Sequence, residues 1–217
     1  MNEHVRPPLT DHTPHQPEPV GLPAHPRPRA ATQAAEGLPR WRWTTDELIR
    51  MVEAGLLHPD ERIELIGGEI VPMSPKGRRH EQVAEELAQY WIARDAAGVK
   101  ISTERQFNLD EATYRVPDII VRPSTIKTYD LTGVEALLVV EVAETSLAYD
   151  TGGKAKIYAS FGVREYWVIN AVTLETRVHR DPTPEGYASI VVQPVTATLT
   201  PHLVPALAVQ LAELDVA

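Results

Sequence analysis

Residues Ala136-Leu137-Leu138-Val139-Val140-Glu141-Val142 form an aliphatic run with one polar interruption, and no other segment restricts the fold as much. A strand that apolar is buried on both faces, which calls for a sheet covered by helices rather than a half-wet hairpin. Ile157, Tyr158 and Phe161 then mark a helix from about Asp150 that stops at Gly162, and Glu165-Tyr166-Trp167-Val168-Ile169 reads as the next strand. The unit is β-α-β. A right-handed crossover sets strand 165–169 parallel to strand 136–142 in one sheet. The expectation is an α/β domain, a mixed sheet flanked by helices.

The flanking segments add an N-terminal helix and hairpin. Thr44-Thr45-Asp46-Glu47 has capping-box spacing, Leu48, Ile49 and Val52 recur at helical intervals, and Gly55 is placed to stop the helix. Arg62–Ile66 and Glu69–Val71 read as two strands around a Gly67-Gly68 turn. After the loop Pro72–Arg79, Val83, Leu87 and Trp91 line one face of a helix from about His80 to Asp95. Strands are expected over about 99–109 and 114–121, a hairpin over 174–180 and 187–192, and a short closing helix over 209–214. No internal repeat is visible.

Residues 1–40 hold nine of the 19 prolines and four of the eight histidines, with four acidic and four basic residues cancelling. Such a segment has too little apolar surface to offset the entropy of ordering, so a disordered Pro-rich arm is expected, followed by one domain over 41–217. His4, His12, His15 and His25 read as solvated linker residues rather than metal ligands. With no cysteine anywhere, disulfides, zinc ribbons, iron–sulfur sites and thiolate nucleophiles are excluded, and any metal must sit on oxygen or imidazole. No apolar run approaches the ~20 residues of a membrane helix, and residues 1–30 lack the apolar segment of a secretory signal; the expected address is the cytoplasm, with no membrane partner. A net charge of −9 has the wrong sign for a broad phosphate-binding surface. A nucleic-acid partner would have to be held by local basic clusters or by a metal in an acidic site, with salt-sensitive affinity.

Three polar residues stand where propensity and burial disfavour them. Asp118 follows Val116-Pro117 beside Ile119, Ile120 and Val121, Glu141 interrupts the aliphatic run, and Lys154 falls in the expected first turn of the following helix. An unpaired buried carboxylate costs several kcal/mol, so each acid needs a partner or a cation. If their strands are neighbours, about 4.8 Å apart, both acids point into one site. A lysine at a helix N-terminus opposes the dipole unless an anion faces it, and side chains lean towards that end, where Glu141 lies. Gly152 and Gly153 remove side chains from the approach. Two carboxylates and a lysine suit phosphodiester hydrolysis on a hydrated divalent cation such as Mg²⁺. From spacing alone a second reading stays open, in which Asp118 caps a turn and Glu141 pairs with Lys154 structurally.

The ordered segments Val116-Pro117-Asp118, Val140-Glu141-Val142, Asp150 with Lys154 and Tyr158, and Gly162–Ile169 resemble the Uma-type restriction-endonuclease family of the PD-(D/E)XK superfamily. Glu64–Ile70 and Ser74-Pro75 with His80 are similar to the same family, and the resemblance covers about residues 43–215. It implies a restriction-endonuclease-like fold, a Mg²⁺-dependent endonuclease with Mn²⁺ as a substitute, and Asp118 and Glu141 as metal ligands. The superfamily lysine, two residues after the second acid, is replaced by Ala143; the similarity from Asp150 to Tyr158 moves its role to Lys154. Asn170 stands where the family has Asp. Nucleic acid, with DNA first, is the implied partner, and a homodimer would address two strands.

Two further residues carry open alternatives. His80, beside Lys76, Arg78 and Arg79, either contacts phosphate or is an ordinary helix-start histidine. Glu64 is either a third acid near the metal or an arginine partner. Tyr158 reads as core packing and Lys156 as solvent-exposed. Gly152-Gly153-Lys154 is not a phosphate-binding loop, since Ala148 and Ala155 replace its Gly and Ser/Thr, and no Gly-X-Ser-X-Gly elbow exists. The rival from another class is a catalytically inactive nuclease-fold module acting in DNA binding or dimerisation.

Overall fold

The Thr44 side chain accepts from the Glu47 amide, and Glu47 answers on the Thr44 amide, closing a capping box on α1 (Thr45–Glu53). The computed structural model describes residues 40–216. The arm expected over residues 1–40, apart from Arg40, and its four histidines lie outside the described residues. Strands β1 (Ile63–Ile66) and β2 (Glu69–Pro72) form the expected hairpin. Gly67 at φ 57° and Gly68 at φ 86° supply the two left-handed positions that its tight turn needs. Helix α2 (Arg78–Ala93) follows.

The next two expected strands are each broken. Residues 99–109 divide into β3 (Val99–Thr103) and β4 (Phe107–Asp110), and 114–121 into β5 (Thr113–Arg115) and β6 (Ile119–Pro123). Glu104 takes φ 49°, which turns the chain out of one ladder. Pro117 has no N–H to continue another. The halves enter different sheets, one of four strands ordered β2-β1-β5-β4 and one of six. Asp118 therefore stands just outside β6, at the crossing between sheets, rather than inside a strand.

β7 (Leu138–Ala143) and β8 (Glu165–Asn170) are parallel, as the β-α-β reading requires, and β9 (Thr176–Thr183) and β10 (Gly186–Gln193) form the hairpin beyond them. The large sheet runs β10-β9-β8-β7-β6-β3. The crossover starts at Leu147 rather than Asp150: α3 (Leu147–Tyr149) runs into a π turn (Asp150–Lys154) and then α4 (Ala155–Ser160). Lys154 is thus mid-helix, and the helix-end argument for it does not hold. Asp150 pairs with Lys154 one turn on, so the helix continues through two glycines, with the π turn absorbing the irregularity. The closing helix expected over 209–214 is instead β12 (Val209–Gln210), paired with β11 (Thr198–Leu199), and a 3-10 turn at Leu211–Glu213. Leu207, Val209 and Leu211 are buried, an alternation that belongs to an extended chain.

Alternation along β7 divides the core. Leu138, Val140 and Val142 join Ile119, Val121 and the α2 residues Val83, Leu87 and Trp91 on one face. Val139 and Ala143 join Ile120, Tyr158 and Tyr166 on the other. By the same period, Glu141 and Asp118 belong to the second face, under the crossover helix. Among the described residues no helix is long and apolar enough to cross a membrane.

Candidate active site

β6 and β7 pair antiparallel with Ile119 opposite Val140, so the next step of that register sets Asp118 opposite Glu141. Both acids line a cavity of about 500 Å³ together with Glu64, Lys76, His80, Asp150 and Lys154. The sequence-derived residues Asp118, Glu141, Lys154, Glu64 and His80 are therefore gathered in one place. Lys156 is exposed, and Arg78 and Arg79 are exposed on the first turn of α2.

Asp118 is nearly surrounded by donors. Its Oδ2 accepts from the Val142 amide at 2.7 Å and lies 2.9 Å from His80 Nε2, while Oδ1 is 2.6 Å from Lys76 Nζ. Burial opposes its ionisation, but the His80 hydrogen bond and charge, followed by Lys76, hold its pKa down to about 2. His80 is thus a buried partner of the acid. It is the third residue of α2, not the first. Gly77 permits this docking: a Cβ there would lie 1.9 Å from Glu144 Oε2, which sits 3.4 Å from the His80 amide at the helix start.

Glu141 has the opposite environment. Burial pushes its pKa up to about 8, Lys154 opposes that, and the charges of Asp118, Asp150 and Glu64 add to it. Its Oε1 accepts from the Tyr158 hydroxyl at 3.0 Å and lies 3.1 Å from Lys154 Nζ. The same ammonium is 2.9 Å from Asp150 Oδ1, and the Ser146 hydroxyl donates to Asp150 Oδ2. Nearby acids raise the Lys154 pKa against the effect of its burial.

Glu64 lines the cavity and pairs with an arginine. Its Oε1 accepts from the Val116 amide at 2.9 Å and Oε2 lies 3.1 Å from Arg115 NH1, whose guanidinium is wholly buried. Among the described residues no three His, Asp or Glu side chains form a ready cage for a metal ion.

Four contributors carried weak or no signal in the sequence. Lys76 was visible only as one of a basic cluster. Asp150 reads in the sequence as the approximate start of the crossover helix, and Arg115 as one strand residue among others. Tyr158 is core, as expected, but its hydroxyl also holds Glu141. The i, i+4 spacing of Asp150, Lys154 and Tyr158 was the one usable clue, because it places all three on the same helical face.

A crystal structure of "a putative nuclease belonging to DUF820" from Anabaena variabilis ATCC 29413 matches with a TM-score of 0.59 at 15% identity, covering 78% of this chain and 96% of that one. At that identity the likeness is one of fold. No curated protein matches the sequence significantly. The family model Uma2, described as "Putative restriction endonuclease", matches residues 45–217, and the chain belongs to that family.

Proposed function

We propose that the protein is a metal-dependent endonuclease that hydrolyses phosphodiester bonds of nucleic acid, with DNA as substrate. The observation that carries this reading is the juxtaposition of Asp118 and Glu141 across one ladder, with Lys154 bound to Glu141, in a shared cavity. The donors fit a hard divalent cation: they are carboxylate oxygens, and Asp118 already holds the Lys76 ammonium where such a cation would sit. Mg²⁺ keeps several waters and uses one or two carboxylates, which these two acids supply. Asp118 and Glu141 would hold it, with Mn²⁺ as a substitute and Glu64 next to the pair. When bound, such a cation polarises a phosphoryl oxygen and acidifies water.

The chain's own groups supply the rest. An ammonium has three N–H donors, and two acceptors are placed on Lys154, so one remains for a phosphate oxygen on which charge develops. Tyr158 orients Glu141, and His80 with the Val142 amide orients Asp118. Cutting both strands of a duplex takes two such sites, which a homodimer would supply.

The test is nicking of supercoiled plasmid in Mg²⁺ or Mn²⁺. The wild type is expected to nick, and Asp118→Ala and Glu141→Ala are not. Cleavage that survives both substitutions rejects the assignment. The rival reading, a silent DNA-binding or dimerisation module, is favoured by the three donors that already occupy Asp118. It predicts a plasmid mobility shift with no nicking in either metal.

A further inference from the structure

Lys76 lies on the loop between β2 and α2, yet its ammonium is drawn inward. Nζ is 2.6 Å from Asp118 Oδ1 and 3.0 Å from Glu104 Oε1, and its side chain is 8% exposed against 57% for Glu104. The two oxygens of Asp118 are held differently. Oδ2 is fixed from within by the β7 backbone at Val142 and by His80, whereas Oδ1 depends on this lysine alone among the polar contacts of Asp118. A cation bound to Oδ1 and an ammonium 2.6 Å from the same oxygen repel each other and crowd one approach, so binding of the one disfavours the other. Glu104, at the outer end of the bridge, offers the displaced ammonium a partner nearer to solvent.

We propose that Lys76 is a tethered countercation that fills the metal position at Asp118 until a divalent cation displaces it towards Glu104. This rests on the reading of Asp118 as a metal ligand. The tether keeps a buried carboxylate charged and ordered before metal arrives, at the expense of metal affinity. It also couples loading to release of a cationic side chain at the mouth of the cavity.

The test is the acetylation rate of each lysine, read by mass spectrometry on the full chain with and without Mg²⁺. The chain has five lysines. Lys127 is exposed and serves as the fast standard, and Lys154 is expected to stay slow throughout. Lys76 is expected to be slow in metal-free protein and several-fold faster in saturating Mg²⁺, and fast without metal in D118A. Calorimetric titration gives the second arm: K76M is expected to bind Mg²⁺ about tenfold more tightly, as for a position held shut about nine-tenths of the time. Lys127→Met, which removes an exposed charge outside the cavity lining, is expected to leave the affinity nearly unchanged. The footprint is read on the wild type, so it decides the question even if K76M folds poorly. Equal protection of Lys76 with and without metal, alongside binding that D118A abolishes, overturns the countercation and leaves the metal site standing. Absence of Mg²⁺ and Mn²⁺ binding in both wild type and K76M overturns both.

Discussion

The Tyr158 hydroxyl donates to Glu141 Oε1 at 3.0 Å, so the helix that leaves β7 returns to hold the acid that β7 carries. Burial pushes the phenol's pKa well up, which keeps it a donor across the working range of pH. Tyr158→Phe keeps the ring and removes this bond. The variant is expected to lose about 1–2 kcal/mol, the usual worth of a buried hydrogen bond to an acid, in urea unfolding. A loss near zero would show that Glu141 is oriented by Lys154 alone.

Lys154→Met leaves Glu141 and Asp150 buried without their shared cation. Breaking a buried ion pair from one side costs about 3–5 kcal/mol, and chemical unfolding should show a loss of that size. Adding Asp150→Asn should restore part of it, because the second carboxylate that the ammonium served is then gone. Plasmid nicking by K154M should fall by about 10²–10³, the range for removal of one preorganised electrostatic donor.

His179 provides a pH test away from the cavity. It is 1% exposed, and burial lowers its pKa, against hydrogen bonds to the Tyr166 and Arg177 backbone. The unfolded chain takes up a proton below about pH 6.5 while the folded histidine stays neutral. Its effect on stability is therefore absent above that pH, and stability falls as the pH drops from there towards the folded pKa. Unfolding free energies measured between about pH 7 and about pH 5 should decline less in His179→Gln than in the wild type.

Arg78 and Arg79 are the exposed part of the basic cluster, on the first turn of α2. If they meet phosphates, changing both to Ala should weaken DNA binding uniformly across sequences and flatten the log–log salt dependence by about 2. Fluorescence anisotropy at several salt concentrations reads the slope. An unchanged slope would move the nucleic-acid path to another face.

The large-scale architecture could be read from local chemistry because its decisive elements are extreme in character. The run ending in Val142 and the segment Glu165–Ile169 allow one parallel pairing, and that pairing is present. Asp118 and Glu141 were visible because a carboxylate in apolar surroundings is costly anywhere. Lys76 was not, because nothing local distinguishes a loop lysine that turns inward from one that does not; its place depends on Asp118, which is 42 residues away. The helix start at Leu147 was hidden for a related reason. In the sequence Asp150 marks the helix start, and its buried contact with Lys154 makes it an interior residue. At the C-terminus, the extended chain wins over a helix because Trp91 Nε1 donates to the Leu207 carbonyl and the alternating leucine and valine side chains pack beneath it.

The chain leaves the six-stranded sheet at Glu104 and comes back to it at Asp118, having built part of the four-stranded sheet in between. Asp118 and Glu141 are consequently locked to each other by one ladder, whereas Glu64 is carried on the other layer. Any rocking of the smaller layer changes the gap between Glu64 and the facing acids without disturbing those acids themselves. The cavity thus has one wall on each sheet, and the walls are joined by the short stretches of backbone at 104–106 and 116–118.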